Sequence, residues 1–261
     1  MASWIRLAQH AQQTAASSSP RSWADKDTLG LTWRPSPAEG TLDVMQTALS
    51  KGANFWNGGE FYGSPEHNSL HLLNEYFTKH PDHADKVVLS IKGGLKDMKP
   101  DGTPTNVRRS IDECLRVLDG KKFLDLFECA RVDPSLPIET TVEAMAEYVK
   151  AGKIGGISLS ECSAESIRRA AEVHKIAAVE VEFSLWATEI LDNGVAKACA
   201  ELNIPIVAYS PLGRGFLVSH CLPSQSEPQT DRLSDRANQV TQRHSRRRLQ
   251  EIPTSFPAGR V

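Results

Sequence analysis

The chain lacks several features that would point to particular functions. It has 261 residues with 30 lysines and arginines against 32 aspartates and glutamates, so charge does not favour nucleic acid or an anionic membrane as partner. No apolar run approaches the length of a transmembrane helix. The five cysteines are scattered, without the C-x-x-C spacing of a zinc or redox site. That usage predicts reduced thiols in an intracellular, cytoplasmic protein and no metal centre.

Both ends of the chain differ in composition from its middle. Residues 1–27 are rich in serine, alanine and glutamine and have no acid before Asp25, a composition faintly similar to a mitochondrial presequence, although we favour a disordered leader. Residues 219–261 are polar, with an arginine cluster at 246–248 that would suit nuclear import or phosphate binding; we favour a disordered or aberrant tail. The predicted folded domain is therefore 28–218.

Within that domain a short apolar strand, a polar or glycine turn and an amphipathic helix repeat about every thirty residues. Seven strands are predicted, namely Leu29–Trp33, Phe55–Trp56, Val87–Ile91, Phe123–Glu128, Ile154–Leu159, Ala177–Val181 and Ile204–Tyr209. The long connections favour parallel strands, and no G-x-G-x-x-G follows the first strand, which counts against a dinucleotide-binding doubly wound sheet. We predict a (β/α)8 barrel with an incomplete ring, because the eighth βα unit is not recognisable.

The helices are placed by apolar residues at helical spacing and by their start and stop signals. They are predicted over Thr41–Lys51, from Pro65 through Phe77, from Asn106 through Leu118, from Glu139 to Gly152, from Ser163 to Val173 and over Glu189–Leu202.

Two neighbouring predicted strands end on groups that can do chemistry. The strand at Phe55 runs through Asn57 and two glycines to Tyr62, and the next strand ends on Lys92. A lysine at the mouth of a buried strand is costly unless it has a charged or hydrogen-bonded role. Because open α/β architectures keep their chemistry at the carboxyl ends of the strands, we predict that Tyr62 and Lys92 belong to one site.

Six motifs, taken together and in order, resemble the aldo-keto reductase family. They are N-F-W-x5-Y-G, I-K-G-G, L-D-L-F-E-C-A-R-V-D-P, A-G-K-I, V-E-V-E-F-S-L and A-Y-S-P-L-G-R-G. The variants N-G-G-E-F-Y-G and C-A-R-V-D-P are most similar to the fungal pyridoxal reductase branch. The resemblance covers about residues 29–218. It implies a (β/α)8 barrel that binds NADPH across the carboxyl ends of its strands and reduces an aldehyde to an alcohol, here pyridoxal to pyridoxine.

The resemblance also implies a catalytic group, which this chain matches only in part. The family uses an aspartate, a tyrosine, a lysine and a histidine; Tyr62 and Lys92 match, whereas Asn57 stands in place of the aspartate and Ala130 in place of the histidine. Since Asn57 adds no negative charge, we expect Lys92 to be poorly neutralised and to lower the pKa of Tyr62 strongly. The missing imidazole leaves room for a substituted aromatic ring. The predicted substrate pocket consists of Trp33, Ala130 and Arg131.

The NADPH contacts follow from the same matching. The predicted set is Ser160, Glu161, Glu180, Tyr209, Ser210, Pro211, Leu212, Gly213, Arg214 and Gly215. Ser160 and Glu161 stand where a serine and an asparagine usually hold the carboxamide, and Tyr209 where an aromatic ring stacks on the nicotinamide. For Glu180 simple alternation along a strand stays open. Nothing after Leu217 resembles the residues that hold the 2′-phosphate in the family.

The predicted partner is a small-molecule aldehyde, with neither nucleic acid nor a membrane involved, and the protein is expected to be a monomer or a weak oligomer. Two alternatives stay open. One is a non-catalytic barrel that acts as a regulatory subunit, and the other is a truncated fragment without function. Turnover of NADPH with pyridoxal separates them from the enzyme.

Overall fold

The computed structural model describes residues 41–213 and residue 217. Several predicted features lie outside these residues: the leader, the strand Leu29–Trp33 with its pocket residue Trp33, the loop residues Arg214 and Gly215, and the tail. The description below therefore covers the predicted domain from its first predicted helix, at Thr41, onward.

Six strands of the described chain form one parallel sheet. They are β1 (Phe55–Gly59), β2 (Val88–Gly93), β3 (Leu126–Cys129), β4 (Gly156–Ser160), β5 (Ile176–Glu182) and β6 (Ile206–Tyr209). Their order in the sheet is their order in the chain, and every neighbouring pair is parallel. This sequential parallel order is what a repeated βα unit produces, and it confirms the predicted fold class.

A helix follows each strand from β1 to β5, and a further helix precedes β1. The helices are α1 (Thr41–Ser50), α2 (Ser69–Lys79), α3 (Pro104–Leu118), α4 (Ile138–Lys150), α5 (Ala164–Val173) and α6 (Val195–Glu201). Two antiparallel hairpins of two-residue strands follow β1 and β2, at Gly63–Ser64 with His67–Asn68 and at Leu95–Lys96 with Lys99–Pro100. Among the described helices, none combines the length and the apolar character that a membrane crossing requires.

The start of α2 differs from the prediction. The sequence pattern places it near Pro65, but Pro65 lies in the turn of the first hairpin and the helix begins at Ser69. Asn68 is the cap: its side-chain oxygen accepts a hydrogen bond from the Leu70 N–H at 3.0 Å, and His71 Nδ1 accepts one from the Asn68 N–H at 3.2 Å. This reciprocal cap satisfies backbone donors that a helix start at Pro65 would leave open.

The predicted helix Glu189–Leu202 is interrupted. A 3-10 turn, Glu189–Leu191, is followed by α6, and Gly194 between them has a φ of +86°. Glycine reaches this left-handed conformation without steric cost, so the chain restarts its helix there. The Asn193 side chain accepts a hydrogen bond from the Val195 N–H at 3.0 Å and fixes the new start.

The sheet curls strongly, as its side chains show. β1 and β5 are four strand spacings apart in the sheet, which would be roughly 19 Å if the sheet were flat. Yet Asn57 Nδ2 on β1 lies 2.5 Å from Glu180 Oε2 on β5. The strands therefore wrap around a shared interior, as in an incomplete (β/α)8 barrel.

The two faces of this curved sheet have different chemistry. The outer face packs against the helices through fully buried apolar side chains, among them Leu73, Ile91, Ile111, Phe127 and Met145. The inner face carries the buried polar side chains of Lys92, Glu128, Ser158, Ser160 and Glu180. Since burying polar groups costs free energy unless they are paired, the inner face is the part of the fold that calls for a functional explanation.

Candidate active site

The inner face brings four polar side chains from four strands to one point. The Lys92 ammonium lies 3.0 Å from Glu128 Oε1 and 2.5 Å from Glu180 Oε1, and it donates a hydrogen bond to Asn57 Oδ1 at 3.1 Å. Asn57 Nδ2 in turn donates to Glu180 Oε2 at 2.5 Å and to Glu128 Oε1 at 3.3 Å. Asn57 thus bonds Lys92 as one member of a larger network.

These charges are held almost entirely away from solvent. The side chains of Lys92, Glu128 and Glu180 are 5%, 0% and 8% exposed. Removing ions from water is expensive, so such a cluster persists only when its members neutralise and hydrogen-bond one another. Within the described residues, no group of three or more histidine, cysteine, aspartate or glutamate side chains is arranged to hold a metal ion.

Burial and neighbouring charges shift the acidity of the cluster. Burial disfavours the Lys92 ammonium, but Glu128 and Glu180 outweigh it, so the pKa of Lys92 lies above its ordinary value. Burial raises the pKa of Glu128 to about 8; Lys92 opposes this rise and Glu180 adds to it. Lys92 therefore stays charged across the physiological range, and Glu128 changes its charge within reach of that range.

Tyr62 is delivered by the turn after β1. Its N–H donates to the Gly59 carbonyl at 3.1 Å, and its carbonyl accepts from the Ser69 N–H at 2.8 Å. The Ser69 hydroxyl donates to the Gly59 carbonyl at 2.8 Å and accepts from the Gly59 N–H at 2.9 Å. Ser69, the first residue of α2, thereby fastens both ends of the turn.

Gly59 allows the tyrosine ring to approach the strand. A methyl group at this position would stand 3.1 Å from the Tyr62 ring carbons, closer than ordinary carbon–carbon contact. The φ of Gly59 is not in the left-handed region, so the close approach of the ring, and not backbone strain, favours glycine here. The second glycine of the sequence motif thus has a geometric reason.

The electrostatic setting of Tyr62 differs from the sequence-based expectation. Burial raises the pKa of the Tyr62 phenol above its ordinary value; Lys92 acts in the opposite direction, and Glu180 and Glu128 add to the rise. We expected Asn57 to leave Lys92 poorly neutralised. Instead two glutamates from β3 and β5 neutralise it, so Lys92 lowers the phenol pKa less than expected.

The predicted cofactor residues lie along the carboxyl ends of β4, β5 and β6. The Ser160 hydroxyl is fully buried beside Glu180 and has no hydrogen-bond partner among the described residues. Glu161 is exposed, with a φ of +53°, and its carboxylate accepts from the Glu182 N–H at 2.9 Å. Burial raises the pKa of Tyr209 above its ordinary value, and the Glu161 carboxylate adds to the rise.

Two further placements bear on the predicted contacts. The Glu180 carboxylate contacts Lys92 and Asn57. Its predicted contact with the cofactor stays a prediction. Ser210, with a φ of +50°, and Gly213, with a φ of +57°, close a turn in which the Gly213 N–H donates to the Ser210 carbonyl at 2.9 Å. Pro211 and Leu212 form the middle of that turn, directly after β6.

The predicted pocket residues Ala130 and Arg131 follow β3. Ala130 is buried, and its N–H donates to the Gly93 carbonyl at 2.9 Å. Arg131 is exposed, donates to the Ala130 carbonyl at 2.6 Å and lies close enough to lower the pKa of the Tyr62 phenol. Arg131 also lines a small cavity of about 20 Å³ between the ends of β3 and β4 and helix α4.

Two functional residues are absent from the sequence-based site. Glu128 lies in an apolar predicted strand, and the cost of burying its charge is the same signal that identified Lys92. Ser69 has no comparable signal, because a serine near a helix start is common. Its role depends on the turn that it fastens.

Comparison with known proteins places this geometry in a family. The model of the aldo/keto reductase family matches residues 27–255. Over 194 residues the chain is 50% identical to a Schizosaccharomyces pombe protein named probable pyridoxal reductase 2, a match that covers 72% of this chain and 58% of the relative. It is 35% identical over 205 residues to aldo-keto reductase yakc [NADP(+)] of the same yeast, covering 76% of this chain and 59% of the relative.

A solved structure agrees on the fold. The glycerol dehydrogenase of Gluconobacter oxydans superposes with a TM-score of 0.67 at 22% identity, covering 80% of this chain and 64% of that one. At this identity the likeness speaks for the fold alone. The chain spans somewhat less than two thirds of the length of these relatives. With a family model that matches most of its residues, the chain belongs to the aldo/keto reductase family.

Proposed function

We propose that this chain is a reductase that uses NADPH to convert an aldehyde to an alcohol, with pyridoxal as substrate and pyridoxine as product. The observation that carries the proposal is the buried Lys92 ammonium, fixed by three partners beside the Tyr62 phenol at the carboxyl ends of the strands. The names of two relatives, a pyridoxal reductase and an NADP(+) reductase, support the substrate and the cofactor. The proposal takes residues 28–218 as the catalytic domain and a monomer or weak oligomer as the working unit.

The residues at the strand ends fit a nicotinamide. Ser160 offers a buried hydroxyl without a partner among the described residues, which is the kind of group a carboxamide would satisfy. Tyr209 offers a partly buried aromatic ring at the end of β6, and the turn from Ser210 to Gly213 follows it. When bound, the reduced nicotinamide supplies a hydride to the aldehyde carbon.

Tyr62 would supply the proton that the reduced carbonyl oxygen needs. A phenol with a pKa of about 10 or higher is a weak donor unless its phenolate is stabilised, and Lys92 is the cation placed to stabilise it. Asn57, Glu128 and Glu180 hold the ammonium in place. Ala130 and Arg131 directly follow β3, and Arg131 is close enough to act on the Tyr62 phenol. A small side chain and a guanidinium at these positions would suit a ring that carries oxygen substituents.

The test measures NADPH oxidation by the purified chain with pyridoxal, comparing wild type with Tyr62→Phe. Removing the proton donor should lower kcat by at least about 100-fold, while NADPH fluorescence titration shows binding within about twofold. Tyr148→Phe is the matched control, because it also removes only a hydroxyl group. That hydroxyl lies outside the candidate site and donates to the Arg108 carbonyl at 3.4 Å.

Two outcomes would contradict the proposal. Wild-type turnover in Tyr62→Phe would remove Tyr62 from the mechanism. NADPH binding without turnover of pyridoxal or any small aldehyde would favour the non-catalytic barrel instead.

A further inference from the structure

Two glutamates and one lysine share the interior of the barrel. Lys92 Nζ lies within 3.0 Å of Glu128 Oε1 and 2.5 Å of Glu180 Oε1, and both carboxyl groups also accept from Asn57 Nδ2. If both glutamates were ionised, one ammonium would face two carboxylates and leave a buried net negative charge. Such a charge is costly at a site where Glu128 is 0% exposed.

The contacts of the two carboxyl groups point to a proton between them. Glu128 and Glu180 both contact the Lys92 ammonium, and both accept from the same Asn57 amide nitrogen. Two ionised carboxylates held this close repel each other, so one of them favours the protonated form. Glu128 Oε2 is fully buried and has no partner in the part of the chain that the structure describes. An ionised oxygen left in that state loses its water without compensation, whereas a neutral carboxyl loses less.

We propose that Glu128 and Glu180 share a single proton near neutral pH and act as positioning residues that keep Lys92 effective towards the Tyr62 phenol. The shared proton stands on the geometry alone; its effect on Tyr62 rests on the proposed function. With the proton in place, the three groups are neutral overall. Without it, a second carboxylate competes for the Lys92 ammonium and acts on Tyr62 directly.

The surrounding groups set the pH at which the proton leaves. Burial, opposed by Lys92 and reinforced by Glu180, raises the pKa of Glu128 to about 8. Glu128 also acts electrostatically on Cys129 of β3 and on Cys162 after β4, but burial raises the pKa of each thiol to about 12, so both stay neutral at this pH. Arg131 acts on Tyr62 from the loop after β3. A loss of the shared proton as pH rises through about 8 is therefore the expected behaviour.

Infrared spectroscopy of the purified chain tests the shared proton without cofactor or substrate. An ordinary glutamate has a pKa of about 4.3 and is therefore ionised at pH 6 to 7. The C=O stretch of a protonated carboxyl group, observed in this pH range, therefore reports the proton of the Glu128–Glu180 pair. Wild type should show this band with the intensity of about one group per chain, and lose it as pH rises through about 8. Glu128→Gln and Glu180→Gln should each lack the band, because one ammonium then neutralises the one remaining carboxylate.

Glu147→Gln is the matched control. Glu147 lies on α4, where it is exposed and pairs with Arg108 of α3, so its replacement should leave the band unchanged. The two active-site variants serve as independent tests, so failure of one to fold does not end the experiment. A wild type without the band at pH 6 to 7 would overturn the shared proton. A band that persists in Glu180→Gln would overturn it too, because a lone carboxylate beside the Lys92 ammonium has no second acid with which to share a proton.

The role in catalysis has its own readout. Wild-type kcat for NADPH-dependent reduction should fall as pH rises through about 8, and this step should be missing from both glutamine variants. An identical alkaline fall in Glu128→Gln would overturn the positioning role. If the infrared band is present but the chain reduces no aldehyde, the proposed function is wrong and the shared proton is retained. If the chain reduces aldehydes but lacks the band, the shared proton is wrong and the proposed function is retained.

Discussion

Lys92→Met separates the electrostatic role of the buried lysine from its packing. Methionine keeps an unbranched, apolar stem of similar length and removes the ammonium. The change takes away the contacts to Asn57 Oδ1 at 3.1 Å, Glu128 Oε1 at 3.0 Å and Glu180 Oε1 at 2.5 Å. What remains is a pair of buried acids without a cation.

The expected cost depends on pH. Removing one partner of a buried ion pair costs about 3–5 kcal/mol, a large part of a typical stability of about 5–15 kcal/mol. The pKa of Glu128 is already raised by burial and by Glu180, and Lys92 opposes that rise, so loss of the ammonium keeps the folded-state pKa of Glu128 above its unfolded value. A raised pKa gives stability that is fully present below the unfolded value, about 4.3, and is lost as pH rises. The variant should therefore be destabilised by about 3–5 kcal/mol at pH 8 and by clearly less at pH 5.

Urea denaturation at the two pH values measures this directly, with the fluorescence of Trp56 as a probe because its ring is 4% exposed in the core. Lys79→Met is the matched control: Lys79 is exposed and pairs with Glu75 at 2.7 Å, so its loss should cost less than about 1 kcal/mol at either pH. Adding Glu180→Gln to Lys92→Met should recover part of the loss at pH 8. A cost in Lys92→Met below about 1 kcal/mol at pH 8, or the same cost at both pH values, would refute the reasoning.

The remaining predictions concern the turn that carries Tyr62. Gly59→Ala places a methyl group 3.1 Å from the Tyr62 ring, so kcat should fall by about tenfold or more. Urea denaturation should show a free energy of unfolding within about 1 kcal/mol of the wild-type value. An unchanged kcat would mean that the position of the ring does not matter. Ser69→Ala removes both hydroxyl contacts to Gly59 and leaves its buried N–H unpaired, so the free energy of unfolding should drop by about 1–3 kcal/mol; a loss below about 0.5 kcal/mol would show that another group satisfies that N–H.

Much of the fold could be predicted from local pattern. The period of about thirty residues and the apolar strands place the six described strands to within about three residues, since each strand must be apolar to be buried on the helix side. The ends are less well predicted. The start of α2 moves from Pro65 to Ser69 because the cap of Asn68, and not the proline, decides where backbone donors are satisfied.

The candidate site could be predicted only in part. The residues Asn57, Tyr62 and Lys92 follow from strand ends and from motifs, and the structure shows Lys92 bonded to Asn57 and acting on Tyr62. The expectation of a poorly neutralised Lys92 was wrong in its electrostatics, because it considered only the residue at position 57. Glu128 and Glu180, which lie 36 and 88 residues after Lys92 in the chain, provide the missing charge.

The sequence by itself determined the repeating unit, the parallel order of the strands and the polar residues at their ends. These properties depend on neighbours a few residues away, through burial and periodicity. Only the tertiary structure decided which of those polar groups meet. Curling of the sheet brings Asn57 on β1 within 2.5 Å of Glu180 on β5, and this contact depends on the radius of the barrel, to which every strand and helix contributes. For this reason the charge balance around Lys92, and with it the acidity of Tyr62, is a property of the fold and of no single motif.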